Sequence, residues 1–397
     1  MWLRLTALAA ALACAAPAWA QLPSTLKIGV LNDQSGPFAD QSGKGSVAAA
    51  RLAAEDFMAE APGTRVEIVY GDHQNKPEIG SAIVRAWVDR DGVAAVADAV
   101  NSAVGLAVND VLRERHRTFI ASNVGTSDLT GKACAPTTVQ WTFDTWAFGN
   151  SAARALKDVG PFYFMSFDYA LGQALERDTT AVLLSLGGTV AGSVKHPLGT
   201  TDFSSYLLQA QASGAKVIAF ASTGTDFINA AKQAAEFGVN RTATLTGLFT
   251  QIVDVDALGL PAAQGLLLTE AFYWDMNEAT RAFTRRFAER MPGRVPTENQ
   301  AGVYSSVLAY LHAAKAADSI EGERVVAAMR RAPIEDALFG PVMVRPDGRA
   351  IHPMYVFRVK APADSKSRWD VYSLVSTIPA EQAFRPMDQG GCPMLAH

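Results

Sequence analysis

The sequence predicts an α/β protein made of two successive doubly wound parallel-sheet units. Short apolar runs of strand length recur along the chain, each followed by a polar loop and then by a segment with helical spacing of its apolar residues. Strand and helix alternating in short units call for a parallel sheet covered on both faces. The pattern also runs twice, interrupted around residues 138–148, where Trp141, Phe143, Trp146 and Phe148 crowd together.

The first unit opens with an apolar run at 26–31, read as a buried strand, and a polar loop at 32–45. Val47, Leu52, Ala53 and Phe57 then trace one face of a helix. Ligands of such sheets bind beyond the carboxyl ends of the strands, which makes this loop the first candidate contact surface. Gly43-Lys-Gly45-Ser-Val-Ala48 imitates a dinucleotide fingerprint, but the strand ends about a dozen residues too early for a pyrophosphate to meet the helix N-terminus. A strand follows at 65–70. Pro77 opens a helix reaching about residue 91, with Ile79, Ile83, Val84 and Trp87 inward. Residues 93–97 form the next strand, Asn101 and Ser102 a helix N-cap pair, and 118–121 a strand ending in the polar loop 122–127.

The second unit repeats the alternation. Strands are expected at 161–165, 189–194, 216–221, 242–246 and 265–269, with helices after Tyr169, at 202–212, and from Thr225 to about Phe237. Helices at 278–290, 298–317 and 321–331 need a sheet to cover. Residues 354–359 and 369–375 read as a closing strand pair after the turn Pro346-Asp-Gly348, and 362–367 as a surface loop.

One early positive charge, a short apolar core and Ala18-Trp-Ala20 describe a secretory leader, residues 1–20, and an exported soluble chain. What remains exceeds the size one core commonly serves. Net charge is −4 with 19% charged residues, so nothing points to nucleic acid or an anionic membrane. Leader cleavage removes Cys14 and leaves Cys134 and Cys392. In an oxidising compartment this pair reads as one disulfide; the rival, a metal pair, lacks a His or Cys at ligand spacing.

Lys27-Ile-Gly-Val, Ser35-Gly-Pro37, the long entry loop, the two α/β sets and the late Phe339-Gly-Pro341 and Pro346-Asp-Gly348 turns resemble the periplasmic solute-binding proteins of the leucine/isoleucine/valine type. The order of elements carries the resemblance over essentially the whole chain after the leader. It implies the type I periplasmic binding fold: an N-terminal lobe of residues 22–142 plus 272–350 and a C-terminal lobe of 143–271 plus 351–397. A three-crossing hinge joins the lobes, which close on a ligand. It also implies an ABC importer, with its membrane permease and ATPase as partners, and a monomeric periplasmic protein without a cofactor.

In that family hydroxyls and backbone N–H groups hold the ligand carboxylate. The matching positions are Asn101, Ser102, Asn123, Gly125 and Thr126, and a helix N-terminus there favours an anion. Gln41 falls where the family has a tyrosine; Tyr169, Thr223 and Phe249 are expected on the opposite wall. Phe249 also stands near the place of an acid that receives the ligand ammonium, leaving Asp144 or Asp168 as replacements. Trp146, Tyr169, Phe249, Tyr273 and Trp274 form a set able to stack on an apolar body. The expected ligand is therefore a small carboxylate: a branched-chain or other apolar amino acid, or an aromatic or aliphatic acid.

Catalysis has no support in the sequence. Gly125-Thr-Ser127-Asp-Leu129 fails as a nucleophile elbow, there is no H-E-x-x-H, and the six histidines lack metal spacing. A sensing role, presenting ligand to a receptor kinase or chemoreceptor, remains the alternative to transport.

Overall fold

The computed structural model describes residues 22–395. The expected leader and Cys14 lie outside the described residues. The first sheet contains β1 (Thr25–Asn32), β2 (Arg65–Asp72), β3 (Val93–Asp98), β4 (Thr118–Ala121) and β5 (Thr138–Gln140). They lie in the order β2-β1-β3-β4-β5, all parallel. Helices α1 (Gly43–Glu60), α2 (Pro77–Ala86) and α3 (Ser102–Glu114) connect them. Gly29 of β1 is required by close packing: a Cβ there would lie 2.5 Å from the Trp87 ring.

The chain then passes to a second sheet through α4 (Thr145–Leu156). Its strands β6 (Phe162–Phe167), β7 (Val190–His196), β8 (Val217–Ala221), β9 (Thr244–Gly247) and β10 (Leu267–Glu270) are parallel. They are connected by α5 (Ala170–Ser185), α6 (Ser204–Ala212), α7 (Gly224–Glu236), α8 (Ile252–Leu258) and α9 (Leu260–Ala263). Helices α10 (Glu278–Arg290), α11 (Glu298–Ala317) and α12 (Gly322–Met329) return to the first sheet, with α11 on α1, β3 and β4, and α12 on β4 and β5. A small antiparallel sheet follows, β11 (Ile334–Asp336), β12 (Gly340–Val344) and β13 (Ala350–Ile351). The closing pair β14 (Met354–Val359) and β15 (Tyr372–Ile378) joins the second sheet beside β10, and α13 (Ala380–Ala383) precedes the tail.

The second sheet is therefore mixed, in the order β15-β14-β10-β9-β8-β6-β7, because β14 and β15 run antiparallel. The break in pattern around 138–148 is β5, a chain crossing and the start of α4, with Asp144 as N-cap accepting from the Ala147 N–H at 2.8 Å. Sequence spacing also missed α8 and β11 to β13, which are too short for a periodic signal.

The segments that pass between the sheets are tied to one another. Arg349 is fully buried and donates to the carbonyls of Trp141, Phe143 and Ala350, while its guanidinium lies 3.6 Å from Asp144 and over the Phe384 ring. The Ala271 N–H donates to Glu298 Oε2 at 2.8 Å, joining the end of β10 to the start of α11. The tail bonds back as expected: Cys134 and Cys392 form a disulfide with Cα atoms 5.6 Å apart.

Candidate functional site

The carboxyl ends of the two sheets face each other, and a hydrogen-bonded chain of buried side chains spans the gap. Gln41, on the β1–α1 loop, donates through Nε2 to Thr223 Oγ1 at 2.7 Å and to both oxygens of Asp254 at 3.0 and 3.2 Å. Thr223 caps α7 after β8, and Asp254 sits in the first turn of α8, where its carboxylate also accepts the Gln251 N–H in a capping box. The Gln251 amide donates to Glu298 and Asn299 at the start of α11. Asn299 in turn accepts, at its carbonyl, from the Asn123 amide at 3.2 Å. Asn123 also donates to Asp98 at 2.6 Å, and Asn32 donates to the other Asp98 oxygen at 2.8 Å.

This chain is rich in acids and has no Lys or Arg partner among the described residues. Burial pushes the Asp98 carboxyl up to about 6, Asp254 to about 7 and Glu298 to about 8. Burial, then the neighbouring Glu298, raises Glu270 well above the ordinary carboxyl range; the Tyr372 hydroxyl donates to it at 2.7 Å. A carboxyl removed from water without a cation favours its neutral form. Several buried atoms beside the chain have no hydrogen-bond partner among the described residues: Gln41 Oε1, Ser122 Oγ, Asn123 Oδ1, Ser222 Oγ, Gln251 Oε1 and Asn299 Nδ2. Each such group costs about 1–3 kcal/mol unless a ligand or water satisfies it. They sit at or beside strand and helix ends of both units, which makes the gap the candidate polar site.

The candidates read from the sequence fall into three groups. Gln41 and Thr223 meet directly across the gap. Asn101, Ser102, Gly125 and Thr126 lie together on the first wall: Asn101 Oδ1 accepts from the N–H groups of Ala103 and Val104, so Asn101 is the cap of α3, and the Thr126 N–H donates to Ser102 Oγ at 3.2 Å. A Cβ on Gly125 would lie 2.8 Å from Leu171 Cδ1 of the second unit, so the two units approach closely at this wall. Tyr169 is the half-buried residue opening α5, its ring against Phe167.

Other expectations need correction. Asn123 is at the site, but both donors of its amide are committed to Asp98 and Asn299; only Oδ1 is unpartnered. Phe249 stacks on Phe148 with ring centroids 5.0 Å apart and packs on Phe143, so its ring belongs to the aromatic core under the site. Tyr273 and Trp274 both donate to the Trp369 carbonyl inside the second unit, and Trp146 lines a separate 240 Å³ cavity between α4 and α5. Asp144 is spent on the α4 cap and Arg349, while Asp168 is exposed near Lys195. The acid on the second wall is Asp254. The sequence signal for it was Gln251-Ile-Val-Asp254, a cap-and-acid spacing ahead of apolar residues. No cluster of three or more His, Cys, Asp or Glu suited to a metal occurs among the described residues.

The model of the periplasmic binding protein family matches residues 25–366. A curated relative, the Leu/Ile/Val-binding protein homolog 6 of Brucella melitensis, is 29% identical over 91% of this chain and 93% of its own. Among solved structures, a periplasmic binding protein from Burkholderia mallei is 40% identical, covers 94% of this chain and 99% of its own, and superposes with a TM-score of 0.90. A branched chain amino acid ABC transporter periplasmic ligand-binding protein from Burkholderia xenovorans is 38% identical over 93% and 99%, with a TM-score of 0.85.

Proposed function

Because the chain belongs to the periplasmic binding protein family, we propose that it is the substrate-binding component of an ABC importer and captures a small carboxylate between its two sheet units. The ligand is an apolar amino acid or an aromatic or aliphatic acid. The observation that carries this reading is the Gln41 amide, buried and bonded at once to Thr223 and Asp254 of the opposite unit. A side chain that reaches partners on the other wall needs those walls to come together, which is what a hinge-closing binder does.

The lobes assigned to that motion are 22–142 plus 272–350 and 143–271 plus 351–397. Arg349 and the Ala271–Glu298 bond lie where the chain crosses between them. The carboxylate is assigned to the wall of Ser102, Gly125 and Thr126, where α3 begins and its dipole favours an anion. Where the ligand carries an amine, the amine is assigned to Asp254, a buried carboxylate without a cation. Binding involves no chemistry on the ligand: the closed population rises because the ligand prefers that state. The membrane permease and ATPase are its partners, the periplasm is its location, and residues 1–20 are its cleaved leader.

A thermal-shift screen of ligand-free protein tests this reading. The panel holds leucine, isoleucine, valine, phenylalanine, short amides, benzoate and hydroxycinnamate. A ligand at a hundred times its dissociation constant adds about 2.7 kcal/mol of stability. A shift with the amino acids supports Asp254 as the amine site; a shift only with the amine-free acids leaves Asp254 without that role. No response to any carboxylate overturns the proposed ligand class.

A further inference from the structure

Two adjoining cavities lie on the outer side of the β1–α1 loop. The outer one, 340 Å³, has Val47 and Ala48 of α1 as its floor, with Lys44 and Arg51 at either end and the Tyr70 ring beside them. Residues 44, 47, 48 and 51 share one helix face, so the two cations stand about two turns, roughly 10 Å, apart with apolar surface between them. Lys44 and Arg51 make no hydrogen bond or ion pair among the described residues, and Tyr70 is 56% exposed with no ring partner there. The nearby Arg290 is different: Glu55 holds it at 3.0 Å. A concave apolar floor, a free aromatic face and two uncommitted cations suit a carboxylate on an apolar or aromatic body.

The inner cavity, 280 Å³, shares Gln34, Lys44 and Met291 with the outer one and is also lined by exposed Asp40 and by buried Val253. These two residues immediately precede Gln41 and Asp254, the pair that bridges the walls of the cleft. Asp40 is held from outside by Arg294 at 3.1 Å. The trough therefore begins at free cations on α1 and ends one residue, on each side, from the contact that closes the cleft.

We infer that this trough is a capture site for the ligand, which docks its carboxylate on Lys44 and Arg51 before it passes the Asp40–Gln41 segment. This rests on the reading of the ligand as a small carboxylate. Cations lining a concave path raise the local concentration of an anion and its rate of association, and salt weakens the effect.

Benzoate is the probe, read by NMR on full-length mature protein labelled at tyrosine, threonine and glutamine. The expected result is movement of the Tyr70 ring signals in the unaltered protein and none in the double variant Lys44→Ala, Arg51→Ala. For whichever panel carboxylate occupies the cleft, stopped-flow association at low salt should fall about tenfold in the double variant, with the dissociation rate unchanged. Tyr70 signals that stay still, or that move equally in the double variant, would overturn the capture site. Failure of the cleft reading looks different: the Thr223 and Gln41 signals would stay still for every carboxylate while Tyr70 still responded.

Discussion

In the proposed mechanism Gln41 carries the contact between the two walls. Its one amide nitrogen serves a hydroxyl and a carboxylate of the opposite wall, and hydrogen bonds to charged groups contribute about 1.5–3 kcal/mol each. Gln41→Ala should therefore weaken ligand binding by roughly tenfold or more, since about 1.4 kcal/mol is one decade. With the walls apart these bonds are absent, so the melting temperature of the ligand-free protein should change by little. Calorimetric titration and thermal melts of the same preparations check both halves; unaltered affinity would remove Gln41 from the binding mechanism. Asn123 is a poor choice for the same experiment. Its amide satisfies the buried Asp98 carboxyl, and an alanine there would strip that acid of a partner and lower stability regardless of any ligand.

At the level of elements, the sheets and the long helices were legible because their signals are local. Apolar runs such as 93–97 fill β3 on both faces, and Thr297 with Gln300 caps α11 at the expected start. What stayed illegible was decided by contacts distant in sequence. The aromatics at 141–148 read as a break, but Phe143 and Phe148 are the floor on which Phe249 packs, about a hundred residues later. Asp254 was not among the candidate residues, because its partner Gln41 lies more than two hundred positions earlier, in the other unit. The packing of α4 on α5 shows the same dependence. Gly149 faces the backbone of Thr179, and a Cβ on it would lie 2.7 Å from the Thr179 Cα and 2.8 Å from its N. Backbone cannot swing aside as a side chain does, so Gly149→Ala should cost about 1–3 kcal/mol through overpacking. Urea denaturation measures this, and a variant as stable as the unaltered protein would show that α4 and α5 separate freely.

For the whole molecule, the proposed closure would couple ligand binding to protons. With the walls in contact, burial lifts Asp254 to about 7 and Glu298 to about 8, whereas the same carboxyls in contact with water titrate near 4. Asp98 is also lifted, but its partners Asn32 and Asn123 belong to the same unit, so opening the cleft changes its surroundings less. A carboxyl whose closed-state pKa exceeds its open-state value takes up a proton on closing at intermediate pH. The penalty for closing is full above about 8, shrinks as pH falls and is gone below the ordinary carboxyl range near 4. For a ligand without an amine, affinity should then rise on going from pH 8 to pH 5, by up to about tenfold per unit for each group taking up a full proton. An ammonium placed on Asp254 reverses the preference, because it stabilises the ionised carboxylate and removes that group from the proton uptake. Titrations of benzoate and leucine at pH 5, 6, 7 and 8 should accordingly give a steep dependence for the first and a shallower one for the second. Asp254→Asn should flatten the benzoate curve. Equal slopes for the two ligands would mean that the amine does not meet Asp254, and a flat benzoate curve in the unaltered protein would mean that closure does not bury these acids.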